Sequence, residues 1–501
     1  MTHHRPALPG LVLAMLAAVL PVGALETDQY ITWGRDLRDS APVLNAWFNR
    51  ELQAAIDEAG EPARCADVTA RYQARLRFLF IIHPPEVWAS SSSLVDRYPG
   101  TAEEELAYPS EFLYRNRPAL NITLWMPFTP TIQVGGVLIG TDKLSHFVSV
   151  GWQLHTDYHT ELAKGASPEE AVERAVATGL KSERYLLLGY RTSGVLSLSD
   201  LESDVQGMLF YRDLCEGPSP ALEHSEEGWR IARPVDLRRY VTPEWDESYQ
   251  PQVFRPGLWK KVRPVVETYC HWLDDPWLTA RREDYAARDG FTISERAVLE
   301  MAAEGKIPDP LSFSVESVCG RTPRPLDGGA SPLPSPRPIP EERLLRLQSE
   351  VEAEEASRRF RAVGLWEAGW STPQALSGSV GVMASRAFPD DPCHLLCEFM
   401  GPYLQLGAGT GGGRFSVGWG RLWTDVGRSG FLRHAYMGFG FRATALRTWH
   451  DPVTAPDSAT YVGPELEISI DRVNIVLGAL RQTAGPDRRD WIFSWSLGLG
   501  F

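Results

Sequence analysis

Beyond position 24 the 501-residue chain has no uninterrupted apolar stretch approaching twenty residues, which excludes a spanning helix from that part of it. Basic residues are in deficit: 50 Lys and Arg stand against 64 Asp and Glu, for a net charge of −14. With no long basic run either, a nucleic-acid partner is not expected. No His-Glu-x-x-His, Gly-x-Ser-x-Gly, phosphate loop or dinucleotide fingerprint occurs, so the motif-defined hydrolases, nucleotide binders and Rossmann enzymes are not indicated. Cysteine is scarce, with six in all: Cys65, Cys215, Cys270, Cys319, Cys393 and Cys397. What is present suffices for folded domains, because 43% of residues are hydrophobic and 10% aromatic.

Residues 1–24 read as a secretory signal peptide. Arg5 precedes the apolar run Leu11 to Leu20, and Val22-Gly23-Ala24 supplies small residues for cleavage. Export permits disulfides. Cys393 and Cys397 are the close pair, bracketing three residues, and are the candidate disulfide. The other four cysteines allow three pairings, which the sequence leaves open.

Residues 25–319 read as an α-rich domain. Ser40 is placed to cap a helix running to about Glu58, with Leu44, Trp47, Phe48, Leu52 and Ile56 at helical spacing. A second pattern covers Ala66 to Ile82 and stops at Pro84-Pro85. Further helices are expected at 257–273 and 293–304. Residues 320–340 are a Pro-rich, semi-rigid linker. A charged helix over 341–360 follows and reads as a solvated spacer.

From 361 to 501 the pattern turns to alternation. Trp491, Phe493, Trp495, Leu497, Leu499 and Phe501 are large and apolar, while Ser494, Ser496, Gly498 and Gly500 are small; Ile492 breaks the small series. A period of two describes a strand with one greasy face and one slim face. Phe415, Val417 and Trp419 alternate likewise, as do Phe439, Phe441 and Ala443, and Leu466, Ile468 and Ile470. Gly409 to Gly413 and Asp471-Arg472 read as turns. Seven or eight strands of near-spanning length fit this stretch. A soluble β-sandwich would alternate too. The final strand, closing on an aromatic, resembles the sorting signal of bacterial outer-membrane β-barrels. That resemblance implies an outer-membrane address and contact with membrane lipid. An eight-stranded barrel is packed inside, and its even strand number puts both ends on one side, in the periplasm.

Chemistry is best sought between Thr141 and Tyr211. Asp142 and His146 lie four apart on a helix face that Ser149 and Gln153 share. Such a polar stripe is also what a helix shows to solvent. His155 falls on the apolar side and reads as a hydrogen-bonded core histidine. His155 and His159 point away from Asp142 and His146, so the four cannot bind one metal. The next helix starts at Ser167-Pro168 with a capping box to Glu170, and Glu183 falls inside its apolar stripe. A third helix is expected to start at Ser199 with a box to Glu202. It aligns Asp200, Asp204, Gly207 and Tyr211 on one face, where Gly207 lets another helix approach closely. If the helices pack together, Asp142, His146, Glu183 and Asp204 meet as candidate catalytic residues. His146, Glu183 and Asp204 suit a divalent metal that activates water; the same set suits metal-free acid–base work. The pieces Asp142-Lys143, His146-Phe147, Glu183, Gly194, Ser197, Asp200, Asp204 and Gly207 resemble a family of small, uncharacterised bacterial envelope proteins that includes lipoproteins. That resemblance implies a shared helical unit and no particular activity.

The expected architecture is therefore multidomain α + β: a periplasmic α-helical domain followed by a small antiparallel transmembrane β-barrel. The expected function is an outer-membrane barrel anchoring a domain with a binding or structural role in the envelope, toward a periplasmic protein or envelope polymer. The alternative is a metal-assisted hydrolase of an envelope substrate. No motif dictates a cofactor, a substrate or an oligomeric state.

Overall fold

Two kinds of periodicity give two kinds of structure. The computed structural model describes residues 27–500 except 61–62, 78–82, 117–128, 186–189, 191–192, 218, 227, 289–291, 327–335, 337, 388–396, 425–434, 471–472 and 487–490. The signal-peptide segment, Cys393, the Asp471-Arg472 turn and Phe501 lie outside the described residues.

The N-terminal region is helical. Its longer helices are α1 (Ala41–Ala59), α2 (Cys65–Leu76), α3 (Pro84–Ser91), α4 (Ala102–Glu111), α5 (Asp142–Ala163), α6 (Pro168–Tyr185), α7 (Leu198–Cys215), α8 (Pro256–Glu267), α9 (Pro276–Ala286) and α10 (Ile293–Ala303). In α1 the expected stripe is the buried one, with Leu44, Trp47, Phe48 and Leu52 all inside. Helix α7 is central: Leu201, Val205, Met208, Phe210, Tyr211 and Leu214 are buried on several faces. Helices α5 and α7 cross at two glycines. A Cβ on Gly207 would stand 2.0 Å from the Phe147 carbonyl oxygen, and one on Gly151 would stand 2.6 Å from Gly207 Cα. Backbone contact at this crossing requires glycine on both sides.

Of the three pairings left open for four cysteines, the fold takes Cys65–Cys215 and Cys270–Cys319. The first ties the start of α2 to the end of α7. The charged helix, α11 (Glu341–Ser357), is not a solvated spacer. Leu344 and Val351 sit in the same core as α1, and Glu354 accepts hydrogen bonds from Ser92 Oγ at 2.6 Å and from Ser93 N at 2.7 Å. Leu344 and Val351, two helical turns apart, dock it with the partly buried Leu347 between them.

The C-terminal region is a closed antiparallel barrel of eight strands: β1 (Arg359–Thr372), β2 (Ala375–Ala387), β3 (Cys397–Gly409), β4 (Gly412–Thr424), β5 (Ala435–Thr448), β6 (Thr460–Ile470), β7 (Val473–Ala484) and β8 (Trp491–Gly500). Strand β8 pairs with β1, from Trp495 opposite Thr372 to Gly500 opposite Glu367. Closure disposes of the two-layered sandwich and leaves the barrel itself without a free edge. The alternation has the expected sense. Trp491, Phe493, Trp495, Leu497 and Leu499 are exposed on the outside, while Ser494 and Ser496 are buried within; Ile492 is buried with them. The interior holds two apolar clusters, one with Val363, Met383, Phe399 and Leu422 and one with Leu446, Tyr461, Leu480 and Ile492, together with a set of buried polar side chains. Arg442 donates to Glu465 at 2.9 Å, to Glu467 at 3.1 Å and to Gln405 at 2.5 Å, and Tyr403 donates to Glu467 at 3.1 Å.

Candidate functional site

The site begins where a hairpin (Thr131–Val134 and Val137–Gly140) runs into α5. A Cβ on Gly140 would stand 2.1 Å from Asp142 Oδ1, so this glycine makes room for the first carboxylate. Asp142 accepts from Thr129 Oγ1 at 3.2 Å and is buried. The stripe Asp142, His146 and Ser149 is thus an interior face, not the solvent side; Ser149 donates to the Ser145 carbonyl at 2.8 Å.

Helix α7 starts one turn-half earlier than expected. Ser197, not Ser199, is the cap, accepting from Asp200 N at 3.1 Å. Pairing of Val195–Leu196 with Val253–Phe254 keeps the backbone extended only up to Leu196, so the helix opens at Leu198. Glu202 is freed from capping and instead accepts from Ser294 and, at 2.8 Å, from Gln206.

Asp142, His146, Glu183 and Asp204 divide between two adjoining groups. His146, Glu183 and Asp204 offer ligand atoms within 4.8 Å of one another. His146 Nδ1 is 2.9 Å from Asp204 Oδ1, and its Nε2 is 3.4 Å from Asp200. Asp142 belongs to the second group, with Asp200 and Glu247. Lys143 occupies that group: its Nζ lies 2.7 Å from Asp142, 2.6 Å from Asp200 and 2.5 Å from Glu247. Close by, Ser145 donates to the buried Glu86. Lys143, Asp200, Glu247 and Glu86 were not among the expected site residues. Lys143 and Asp200 carry a signal, since both lie in the motif; Glu86 and Glu247 come from α3 and the 243–247 turn, and nothing local marks them.

Six carboxyl groups thus surround two cationic side chains, all buried except the half-buried Glu183, and protons must balance the charge. Burial raises Glu86, Glu183 and Glu247 to about 8 and Asp204 to about 6; it also raises Asp142. Burial opposes a charge on His146, but Asp200 and Asp204 outweigh it and lift the ring to about 10. Burial likewise opposes the Lys143 charge, and Asp142, Asp200 and Glu247 overcome it. Asp200, also buried, is the carboxyl drawn down, by His146 and Lys143.

The two groups differ in what they can hold. An ammonium already fills the Asp142–Asp200–Glu247 group, so a metal does not fit there. The His146–Glu183–Asp204 group fits a divalent ion: it supplies one nitrogen and two carboxylates, and Asp204 Oδ2 is buried with no hydrogen-bond partner among the described residues. Binding there would displace the protons these groups carry. Glu183 is the half-buried member and marks the solvent side of the cluster.

The chain matches no family model, no curated protein and no solved structure. The likeness of the 141–211 segment to small envelope proteins therefore rests on its motif residues alone.

Proposed function

We propose that this protein is an outer-membrane protein whose barrel anchors the helical region on the periplasmic side, where that region has a binding or structural role toward a periplasmic protein or envelope polymer. One observation carries the reading: the barrel turns apolar side chains outward on its strands, including Trp370, Leu404, Val417, Trp419, Phe441, Ile475 and Leu497, and charged ones inward. Water as the outer solvent would leave that apolar surface uncovered; lipid covers it. Helix α11, docked on the helical core and followed directly by β1, makes the link between the two regions a short one. Fractionation of expressing cells tests this. The chain is expected in the outer-membrane fraction, with its helical region cut by added protease only after the outer membrane is permeabilised. Recovery in the detergent-free soluble fraction would reject the reading.

The meeting of His146, Glu183 and Asp204 favours a second reading, a metal-assisted hydrolase of an envelope substrate. These three would hold a divalent ion that supplies activation of water. Asp142 would act through Lys143, keeping Asp200 beside the imidazole. His146→Asn is expected to abolish metal uptake at this group and hydrolysis together. Activity unaffected by that change would remove the reading.

A further inference from the structure

Two histidines outside this cluster lie close together. His155 and His159 stand one turn apart on α5, and Glu216 follows the last residue of α7. His155 Nε2 is 3.1 Å from His159 Nε2, and His159 Nε2 is 3.1 Å from Glu216 Oε1. No arrangement of hydrogens gives both contacts a two-centre hydrogen bond of their own. The His159 Nε2 carries at most one proton. If it donates to Glu216, it has no lone pair for an N–H of His155 and no second hydrogen for a lone pair there. If it accepts from His155, a lone pair faces the carboxylate. Three Lewis-basic atoms converge with one hydrogen between them at His159, and a cation resolves the conflict.

We infer that His155, His159 and Glu216 form a zinc-binding site. Zinc bonds imidazole nitrogen and carboxylate oxygen at about 2.0–2.2 Å. Two such ligands lie about 2.9 Å apart at a right angle and about 3.4 Å apart at the tetrahedral angle, so the two 3.1 Å separations suit a shared ion, and the three ligand atoms all lie within 4.8 Å of one another. The supports are in place. Trp152 stacks on His155 at 5.3 Å, and Tyr158 donates to the other Glu216 oxygen at 3.4 Å. The Cys65–Cys215 disulfide fixes the residue next to Glu216. His159 and Glu216 are 45% and 33% exposed, so an ion can enter and its fourth position opens to water. The ligand set would staple α5 to the end of α7, apart from the central cluster.

Calorimetric zinc titration of the full-length protein in detergent micelles, after chelator stripping, tests the site. His159→Ala and Glu216→Gln, both at partly exposed positions, are each expected to weaken binding at this site by about ten-fold or more. His146→Asn, which removes the central group, is expected to leave it intact. Copper(II) bound in place of zinc should show coupling to two imidazole nitrogens, falling to one in His159→Ala. No zinc binding by the wild-type chain, or binding unchanged in both His159→Ala and Glu216→Gln, would overturn the inference.

Discussion

At Lys143 a buried ammonium sits among three carboxylates, while one helical turn on, His146 faces two more. The pair settles which half of the cluster is closed to metal and also fixes how the fold responds to pH. The folded chain holds the His146 proton up to about 10, against an ordinary 6.5. That contribution to stability is complete below about 6.5 and is lost as pH rises through about 10. Glu86, Glu183 and Glu247 keep protons up to about 8, against an ordinary 4.5. All four make the folded state bind more protons than the unfolded one, so stability falls as pH rises. Thermal melts followed by circular dichroism, with chelator present, are expected to show the helical midpoint dropping steadily from about pH 6 to about pH 9. A midpoint that climbs over this range would contradict the protonation scheme. In the sequence, Asp142, His146, Glu183 and Asp204 were legible through spacing and through the oddity of an acid in an apolar stripe. Burial of their face was not, because the partners that make it an interior come from Glu86 and Glu247, about 60 and 100 positions from the segment's core.

Among the elements, the α5–α7 crossing brings together the histidine-bearing parts of both clusters. It sets His146 beside Asp204 and, at its far end, His155 and His159 beside Glu216. Gly207 was recognisable as a point of close approach from its place on the face of Asp200, Asp204 and Tyr211. Its partner Gly151 was not, since a glycine in a helical pattern does not announce which neighbour it meets. Gly207→Ala would push a methyl group into the Phe147 carbonyl. A loss of about 1–3 kcal/mol in denaturant unfolding is expected, larger than for an alanine at an open glycine such as Gly257. Equal effects at the two positions would mean the crossing is looser than described. Two element-level expectations failed for local reasons. Both Ser197 and Ser199 precede an acid by three residues, and the choice between them is made by strand pairing with Val253–Phe254, far along the chain. Helix α11 looked like a spacer because its charge masks the two buried positions, Leu344 and Val351.

For the molecule as a whole, the barrel was the most legible part. Its period of two is local and repeats in each hairpin, whereas closure rests on the long-range pairing of β8 with β1. The charged interior was less so: Arg442, Glu465 and Glu467 sit on small-residue faces that alternation marks as inward, but their pairing depends on register across β5 and β6, with Arg442 opposite Glu465. The central claim is that lipid is the solvent of the outer face. Tryptophan quenching by brominated lipids measures it directly. Trp370, Trp419, Trp491 and Trp495 are exposed on the barrel, whereas Trp47, Trp88 and Trp245 are buried in the helical region. Reconstituted into bilayers of brominated lipid, the full chain is expected to lose part of its fluorescence, and a variant with Trp419→Phe and Trp495→Phe is expected to lose distinctly less. Fluorescence equal in brominated and unbrominated bilayers would contradict a lipid-facing barrel and remove the anchor with it.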